Sequence, residues 1–443
     1  MPVILGTKRV EVRYAYDRED GNILDLGLFD PRGSDFLEAW GFRGWSGSAR
    51  DHLVVTERWA TPGYLAGPIV PGTWQVLLGL YQVASKGCSY QVKVLLSDEE
   101  GDMPVGQAGS LSSGGSEFAP RGGRGWFKGD LQSHTHHSDA HCSVEEIAAA
   151  ARRRGLDFLA VTDHNTVSHH AHLAAQSGPD LLLIPGEEVT TYHGHANVWG
   201  PGPWLDFRCS SDKEMAQVVA EAHRGGRLLS INHPKPNGPE WNFGLELPFD
   251  CVEAWQGPWP WGNDHSLAFW ENLLLRGRRV VAVGGSDAHP FPLASGRLFD
   301  WLGYPTTWVY AEALTTKDVL AGIKAGHVSI SACPTAARAF LTLREDGHTA
   351  LQGDAVELVK GELEVRVIGG EGYWLCLLTR HGEVARERIP SPDWIYRYEL
   401  ELARHGYVRA EVRIPDSRGT IPLERLPMVA MTNPIWHSGF LRS

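Results

Sequence analysis

The sequence predicts a parallel α/β barrel set between two β-rich domains, divided at 1–120, 126–335 and 337–443. Three observations carry that expectation. Strand-like and helix-like segments alternate roughly seven times over about 210 residues from Trp126 onward, the pattern of a barrel more than of an open sheet. Both flanks instead carry short runs of Val, Tyr, Trp and Leu punctuated by Gly and Pro. Between the flanks, residues able to bind metal recur at the C-terminal ends of successive strands, which in a barrel meet around one mouth.

In the first flank, Lys8 to Tyr16, Leu53 to Trp59, Trp74 to Val83 and Tyr90 to Leu96 read as strands, with turns at Pro71-Gly72 and Lys86-Gly87. That spacing suits an antiparallel β-sandwich or jelly roll, expected to pack on the middle region in preference to binding carbohydrate. GQAGSLSSGGSEFAPRGGRG, residues 106–125, is Gly/Ser-rich without periodicity and reads as a linker.

The middle region opens with a helix over Ser143 to Arg154: Ser143 is the N-cap, Glu146 its capping-box partner and Gly155 the terminator. Strands are expected at Leu156 to Thr162, Leu181 to Pro185, Leu228 to Asn232, Cys251 to Trp255, Val280 to Val283 and Val328 to Ser331. Helices are expected at Ser168 to Gln176, Asp212 to Arg224, His265 to Arg276 and Thr316 to Ala325. From Ala337 the chain turns β-rich again, with runs at Leu363 to Ile368, Tyr373 to Thr379 and Trp394 to Leu402. Tyr407 to Ile414 sets Val408, Ala410, Val412 and Ile414 on one face and Arg409, Glu411 and Arg413 on the other. These make a second small β-sandwich.

Composition excludes several function classes. A formal net charge of −12 argues against a nucleic-acid polymer as partner. No apolar run approaches membrane-spanning length, and MPVILGTKRV lacks the core of a secretory signal. The six cysteines (Cys88, Cys142, Cys209, Cys251, Cys333, Cys376) form no CxxC pair, which favours free thiols and a cytoplasmic setting. Seventeen tryptophans suit aromatic-lined pockets or layered β cores alike.

The chemistry begins in KGDLQSHTHHSDAH, residues 128–141. His134 and His136, two apart on an extended strand, point to one side, and Asp139 follows. Later strands end in Asp163-His164, in Gly186-Glu187-Glu188 followed by His193 and His195, in His233-Pro234, and in GGSDAH with Asp287 and His289. A single histidine is more often a surface or core residue than a ligand; five such coincidences at one structural position make a metal site. Imidazole and carboxylate without thiolate suit Zn, Mn or Fe(II) better than Ca or Mg. So many donors imply two or three divalent ions, with Glu188 placed to bridge a pair. No GxSxG motif suggests a serine nucleophile.

HTHHSD, DFLAVTDHNT, PGEEVT with GHAN, INHP and GGSDAH, in that order across about residues 126–335, resemble the PHP (polymerase and histidinol phosphatase) family of metallohydrolases. The resemblance implies a distorted (βα)7 barrel that hydrolyses phosphate esters. It implies His134, His136, Glu188 and Asp287 at one metal, Glu188, His195 and His233 at a second, and Asp139, His164 and His289 at a third. The flanking β domains and the closing MTNPIW look most similar to a branch that includes a carbaryl hydrolase, which cuts a carbamate. Ala140 stands where glycine is common after the aspartate.

The expected activity is hydrolysis of a small-molecule or nucleotide phosphate ester by a metal-bridging hydroxide. A carbamate, carboxyl ester or amide is the alternative, and a non-catalytic metal- or carbohydrate-binding module a third reading. Glu188 and Asp163 are the catalytic candidates, Asp163 either orienting a ligand or shuttling a proton. Lys235, Asn237 and Arg297 follow ligand-bearing segments and are candidates to contact a substrate anion. His169, His170 and His172 read as helix-surface residues, and His137, His141 and Cys142 as neighbours of the site. Arg152 to Arg154 read as a solvated helix end. Trp241, Trp255, Trp259, Trp261 and Trp270 form either an aromatic wall or barrel packing.

Overall fold

The computed structural model describes residues 1–102, 123–236, 238–292, 298–299, 301–345, 347–416 and 426–441. All but the last three residues of the expected linker at 106–125 lie outside that set, as do Asn237 and Arg297.

In the first flank two three-stranded antiparallel sheets share one core. Arg9–Tyr16 lies between His52–Thr56 and Tyr90–Ser97, and Ile23–Phe29 lies between Phe42–Gly47 and Gln75–Gln82. Val10, Val12, Leu24, Leu26, Leu28, Leu53, Val55 and Trp74 fill the space between the sheets. Gly27 lies so close under Trp45 that a Cβ there would strike the indole.

From Gly125 onward, among the described residues, one 15-stranded sheet runs through the molecule; thirteen strands form its main path, and two short ones, Ala355–Val356 and Ile435–His437, pair beside it. The strands of the main path are β1 (Gly125–Asp130), β2 (Phe158–Val161), β3 (Leu182–Thr191), β4 (Gly194–Trp199), β5 (Leu228–Ile231), β6 (Cys251–Gln256), β7 (Val281–Gly285), β8 (Thr306–Ala311) and β9 (Val328–Ser331). They continue with β10 (Trp374–Thr379), β11 (Gly382–Arg388), β12 (Tyr407–Arg413) and β13 (Met428–Thr432). The order across the sheet is β7-β6-β5-β4-β3-β2-β1-β8-β9-β13-β12-β10-β11.

The expected all-parallel arrangement holds only in part. β1, β2 and β3 are parallel neighbours, as are β5, β6 and β7. β4 is antiparallel to both β3 and β5, and β8 to both β1 and β9. The physical reason lies in β3, which does not stop at Pro185 but continues to Thr191 and folds back through a tight turn, so no crossover helix is needed. At that turn Gly194 has φ +137°, and Trp241 packs where a Cβ would stand.

The sheet curls until its β7 edge returns against β8, β9 and β13. Side chains make this contact instead of a backbone ladder. Gly284 N donates to Thr307 Oγ1 at 2.9 Å, and that hydroxyl donates back to the Gly284 carbonyl at 2.7 Å. Ala282 N donates to Asn433 Oδ1 at 2.8 Å, while Asn433 Nδ2 donates to the carbonyls of Ala282 and Val328.

Helices α1 (Val144–Arg154), α2 (His170–Gln176), α3 (Asp212–Arg224), α4 (Asn263–Leu275) and α5 (Thr316–Ala325) pack against the strands of this sheet. α1 starts and stops as its caps predict: Ser143 and Glu146 close a capping box, and Gly155 ends the helix at φ +69°. Among the described residues no helix is long and apolar enough to cross a membrane. No disulfide joins any of the six cysteines.

The C-terminal region is layered onto the same sheet, because β9 pairs with β13 across the expected boundary at 335–337. A four-stranded antiparallel sheet (His348–Leu351, Arg338–Glu345, Gly361–Ile368, Asp393–Leu400) covers one face of β12 and β10 through Leu341, Leu363, Val365, Leu377, Val408 and Val412. The polar face of β12 is buried as well. Arg409 lies against Glu271 of α4 (2.8 Å) and Glu411, Glu411 also holds Arg413 (2.6 Å), and the two guanidiniums sit over Trp270 and Trp259.

Candidate metal centre

The strand ends deliver their side chains to one buried locus. Among the described residues three groups of potential ligand atoms lie within 4.8 Å of one another: His134, Glu188 and Asp287; His164, Glu188 and His195; and His134, Asp139, His164 and His289. In the first, His134 Nε2 is 3.2 Å from Glu188 Oε2 and 3.0 Å from Asp287 Oδ1. In the second, Glu188 Oε1 is 3.0 Å from His195 Nδ1, and His164 Nδ1 is 3.3 Å from Oε2. His233 reaches the same carboxylate, its Nε2 3.6 Å from Oε1. In the third, Asp139 Oδ1 is 3.2 Å from His289 Nε2 and 3.7 Å from His164 Nε2. The His134 ring lies against those of both His164 and His289, at centroid distances of 4.3 and 4.2 Å.

Electrostatics bind these groups together. Burial pushes the Glu188 carboxyl upward, but the imidazoles of His164, His134, His195 and His233 outweigh it and hold the group well below the usual carboxylate range. Burial likewise opposes charge on His134, while Asp287 and Glu188 raise its pKa well above the ordinary imidazole value. Burial raises Asp139 and Asp287, yet the histidines around each carry it downward. Both ring nitrogens of His134 are buried without a hydrogen bond of good geometry, although Nε2 has two carboxylate oxygens close by. An imidazole lone pair flanked by carboxylates, with no donor or acceptor satisfied, suits a divalent cation.

Several polar residues that the sequence pattern did not single out hold this cluster. Gln132 Nε2 donates to Glu188 Oε2 (3.1 Å) and Asp287 Oδ1 (3.2 Å). Asn232 Nδ2 donates to Glu188 Oε1, Gln256 Nε2 donates to Asp287 Oδ2, and Thr190 Oγ1 lies 2.6 Å from His164 Nδ1. Gln132 stands two residues before His134, so its phase on the strand was visible. Amides simply do not advertise themselves as imidazoles do.

The other candidates fall in different places. His136 joins none of the three groups: its Nδ1 lies 3.2 Å from the Cys142 carbonyl, and its ring stacks on His137. His193 is also outside them, its ring near Phe243. Asp163 is buried with both oxygens occupied, accepting from the amide and hydroxyl of Thr135 and of Ser138. Lys235 is buried, and its Nζ donates to the Gln256 carbonyl at 3.1 Å. Burial draws its pKa below the usual lysine value against the pull of Glu253 and Asp287.

The expectation that His169 and His170 lie on a helix surface is corrected. His169 is buried with Nδ1 3.1 Å from Asp163 Oδ2, and Nε2 of each histidine reaches the Gly186 carbonyl. The helix has only two turns, and its start tucks beneath the strand ends. His172 keeps partial exposure. Of the tryptophans, Trp255 and Trp270 are fully buried in the core, which is the packing alternative.

The N-terminal flank touches the same loop. Arg50 donates to the carbonyls of Ser138 (2.8 Å) and His136, Gly63 N donates to Ser168 Oγ, and Ser168 Oγ lies 2.8 Å from His137 Nδ1. Between this flank and the β3–β4 hairpin is an open cavity of about 260 Å³, lined by Trp45, Leu77, Thr190, Tyr192, Phe207 and Arg208 among others. Thr190 links its wall to His164.

Fold and site thus define a mixed α/β protein with clustered histidines and carboxylates suited to divalent metal. No family model matches the chain. Over 123 residues it is 29% identical to the 5'-3' exoribonuclease Rnm of Salmonella typhimurium, an alignment covering 27% of this chain and 42% of that protein. The chain therefore spans less than half the length of that relative. Solved structures similar to it include a two-domain protein of Bacteroides vulgatus containing a predicted PHP-like metal-dependent phosphoesterase. That likeness has a TM-score of 0.40 and 15% identity, over 72% of this chain and 98% of that one. Another is an amidohydrolase of Chromobacterium violaceum with bound sulfate, at a TM-score of 0.27 and 14% identity, over 39% and 90%.

Proposed function

We propose that this chain is a metal-dependent hydrolase whose middle region, residues 126–335, is a PHP-type barrel, and that it cleaves a phosphate ester of a small molecule or nucleotide. The carrying observation is Glu188, one buried carboxylate with His134 against one oxygen and His195 against the other. Such a carboxylate can hold two cations side by side, with His134 and Asp287 on one, His195 and His233 on the next, and Asp139, His164 and His289 available for a third. Zn, Mn or Fe(II) in that donor set would lower the pKa of bound water toward neutrality and polarise the ester. The protein's own task is positioning. Asp163 fixes the 135–138 turn that carries Asp139, Asn232 and Gln256 fix the carboxylates of Glu188 and Asp287, and Thr190 fixes His164. The local likeness to a ribonuclease supports phosphoester chemistry, and the net charge of −12 supports small substrates over a polymer.

The cavity whose wall includes Thr190, the hydrogen-bond partner of His164, favours a second reading, hydrolysis of a carbamate, carboxyl ester or amide. Its aromatic wall of Trp45, Tyr192 and Phe207 suits an apolar substituent, and its one guanidinium, Arg208, is already paired with Asp206. Protein loaded with Mn or Zn is assayed on p-nitrophenyl phosphate, bis-p-nitrophenyl phosphate and 1-naphthyl N-methylcarbamate. Turnover of either phosphate without the carbamate supports the first reading, and the reverse supports the second. Inactivity on all three, with metal bound, would sink both.

A further inference from the structure

The side chain of Gln132 is buried and aimed at the first metal group. Ser133 pairs with Ala288 in a parallel bridge, so this segment is extended and Gln132 and His134 project to the same side. The end of the Gln132 amide lies 3.1 Å from Glu188 Oε2 and 3.2 Å from Asp287 Oδ1. His134 Nε2 lies 3.2 and 3.0 Å from those same two oxygens. Spacings of about 3.0–3.3 Å are those between neighbouring ligands on a cation bound at ~2.1 Å. The other amide atom, Oε1, is buried and accepts no hydrogen bond. A half-turn of the terminal amide exchanges oxygen and nitrogen. Two bare carboxylates call for a donor at that point, whereas a cation between them calls for an acceptor.

Resting on the metal-hydrolase reading of this site, we infer that Gln132 is the fourth protein ligand of the cation held by His134, Glu188 and Asp287, through its side-chain oxygen, in the role the HxH pattern gives to His136. His136 is turned away, toward the Cys142 carbonyl and the His137 ring. The consequence is a change of donor set. Three oxygens and one imidazole make a harder site than two imidazoles and two carboxylates, so this position takes Mn²⁺ or Fe²⁺ in preference to Zn²⁺.

The test is calorimetric titration of MnCl2 and of ZnCl2 into metal-stripped full-length protein, with bound metal counted by mass spectrometry. Gln132→Ala, Gln132→His and Glu188→Ala are compared with the wild type. Gln132→Ala is expected to weaken Mn²⁺ at one site by about 10–100-fold and to leave the other sites as they were. Gln132→His is expected to tighten Zn²⁺ relative to Mn²⁺ at that site by about tenfold or more, a gain that misfolding cannot produce. Mn²⁺ affinity within about twofold of wild type at every site of Gln132→Ala, or an unchanged Zn/Mn preference in Gln132→His, overturns the inference. If Glu188→Ala loses metal while Gln132→Ala keeps it, only the role of Gln132 fails. If Glu188→Ala retains its full metal content, the metal centre itself is misassigned, and the inference falls with it.

Discussion

Replacing Asp163 by asparagine removes one negative charge and leaves the shape unchanged, so it isolates what that charge does. Oδ1 accepts from Thr135 N (2.8 Å), Ser138 N (3.1 Å) and Ser138 Oγ (2.6 Å), and Oδ2 accepts from Thr135 Oγ1 (2.7 Å). Two of those donors are backbone amides that cannot turn round, so an asparagine keeps its oxygen toward them and places its NH2 group against the Thr135 hydroxyl. Hydrogen bonds to a charged acceptor contribute about 1.5–3 kcal/mol and those to a neutral one about 0.5–1.5, a difference of about 1 kcal/mol per bond. With three bonds weakened in this way and the fourth, from the Thr135 hydroxyl, no longer made to an acceptor, the expected loss is about 4 kcal/mol, within the ~3–5 kcal/mol seen when one partner of a buried charged network is removed. Urea unfolding followed by tryptophan fluorescence measures it. Hydrogen exchange at the Thr135 and Ser138 amides reports where the loss falls, and their protection should drop by about 10²–10³-fold. Because Asp139 rides on the same turn, metal affinity at the Asp139, His164 and His289 group should fall too. A stability change under about 1 kcal/mol with unaltered exchange at both amides would show that Asp163 does not hold the turn.

Two further perturbations probe the layers that surround the site. Burial lifts the Asp25 carboxyl from 3.8 to about 6, against the hydrogen bond from Tyr192 Oη. Its folded pKa exceeds the unfolded value, so its contribution is fully present below about pH 4 and is lost as pH rises through 6. Asp25→Asn should therefore gain up to about 3 kcal/mol over wild type at pH 8 and little at pH 4; thermal melts showing a gap that does not widen with pH refute this. Glu411→Ala leaves the buried guanidiniums of Arg409 and Arg413 without the carboxylate between them and should cost about 3–5 kcal/mol in chemical denaturation. A cost below 1 kcal/mol would mean that solvent or another acceptor replaces Glu411.

Local signals read well, and pairings distant in sequence did not. Ser143, Glu146 and Gly155 bounded α1 because a capping box and a left-handed glycine act within a few residues. β4 and β8 carry no such signal: β4 opens Gly-His-Ala-Asn and β8 Thr-Thr, so neither begins as an apolar run. The join of β9 to β13 links residues about a hundred apart, and no periodicity within either strand reports it. For β12 the alternation was right, but it did not say that a second layer would bury the charged face. Burying Arg409, Glu411 and Arg413 became possible only because α4 brought Glu271, Trp270 and Trp259 against them.

The same distinction between phase and position explains the first strand. Gln132, His134 and His136 share one phase, so alternation alone licenses any adjacent pair as the inward one. What selects the pair is where the extended segment ends. Its last pairing is Ser133 with Ala288, and residues 136–139 already form a turn whose start is held by the Asp163 carboxylate and whose His136 amide donates to the Cys142 carbonyl. Beyond that point the period of two no longer applies, and the His136 ring leaves with the turn. Histidine draws the eye as a ligand and glutamine does not, so a reading by residue type favours 136 where the geometry of the strand favours 132. His164, His233 and Asp287 each follow a strand that local hydrophobicity marked, whereas Glu188 lies inside β3, which runs on past the expected end at Pro185. Their convergence follows from the curl of the sheet, and the identity of the donors then sets which cation the centre prefers.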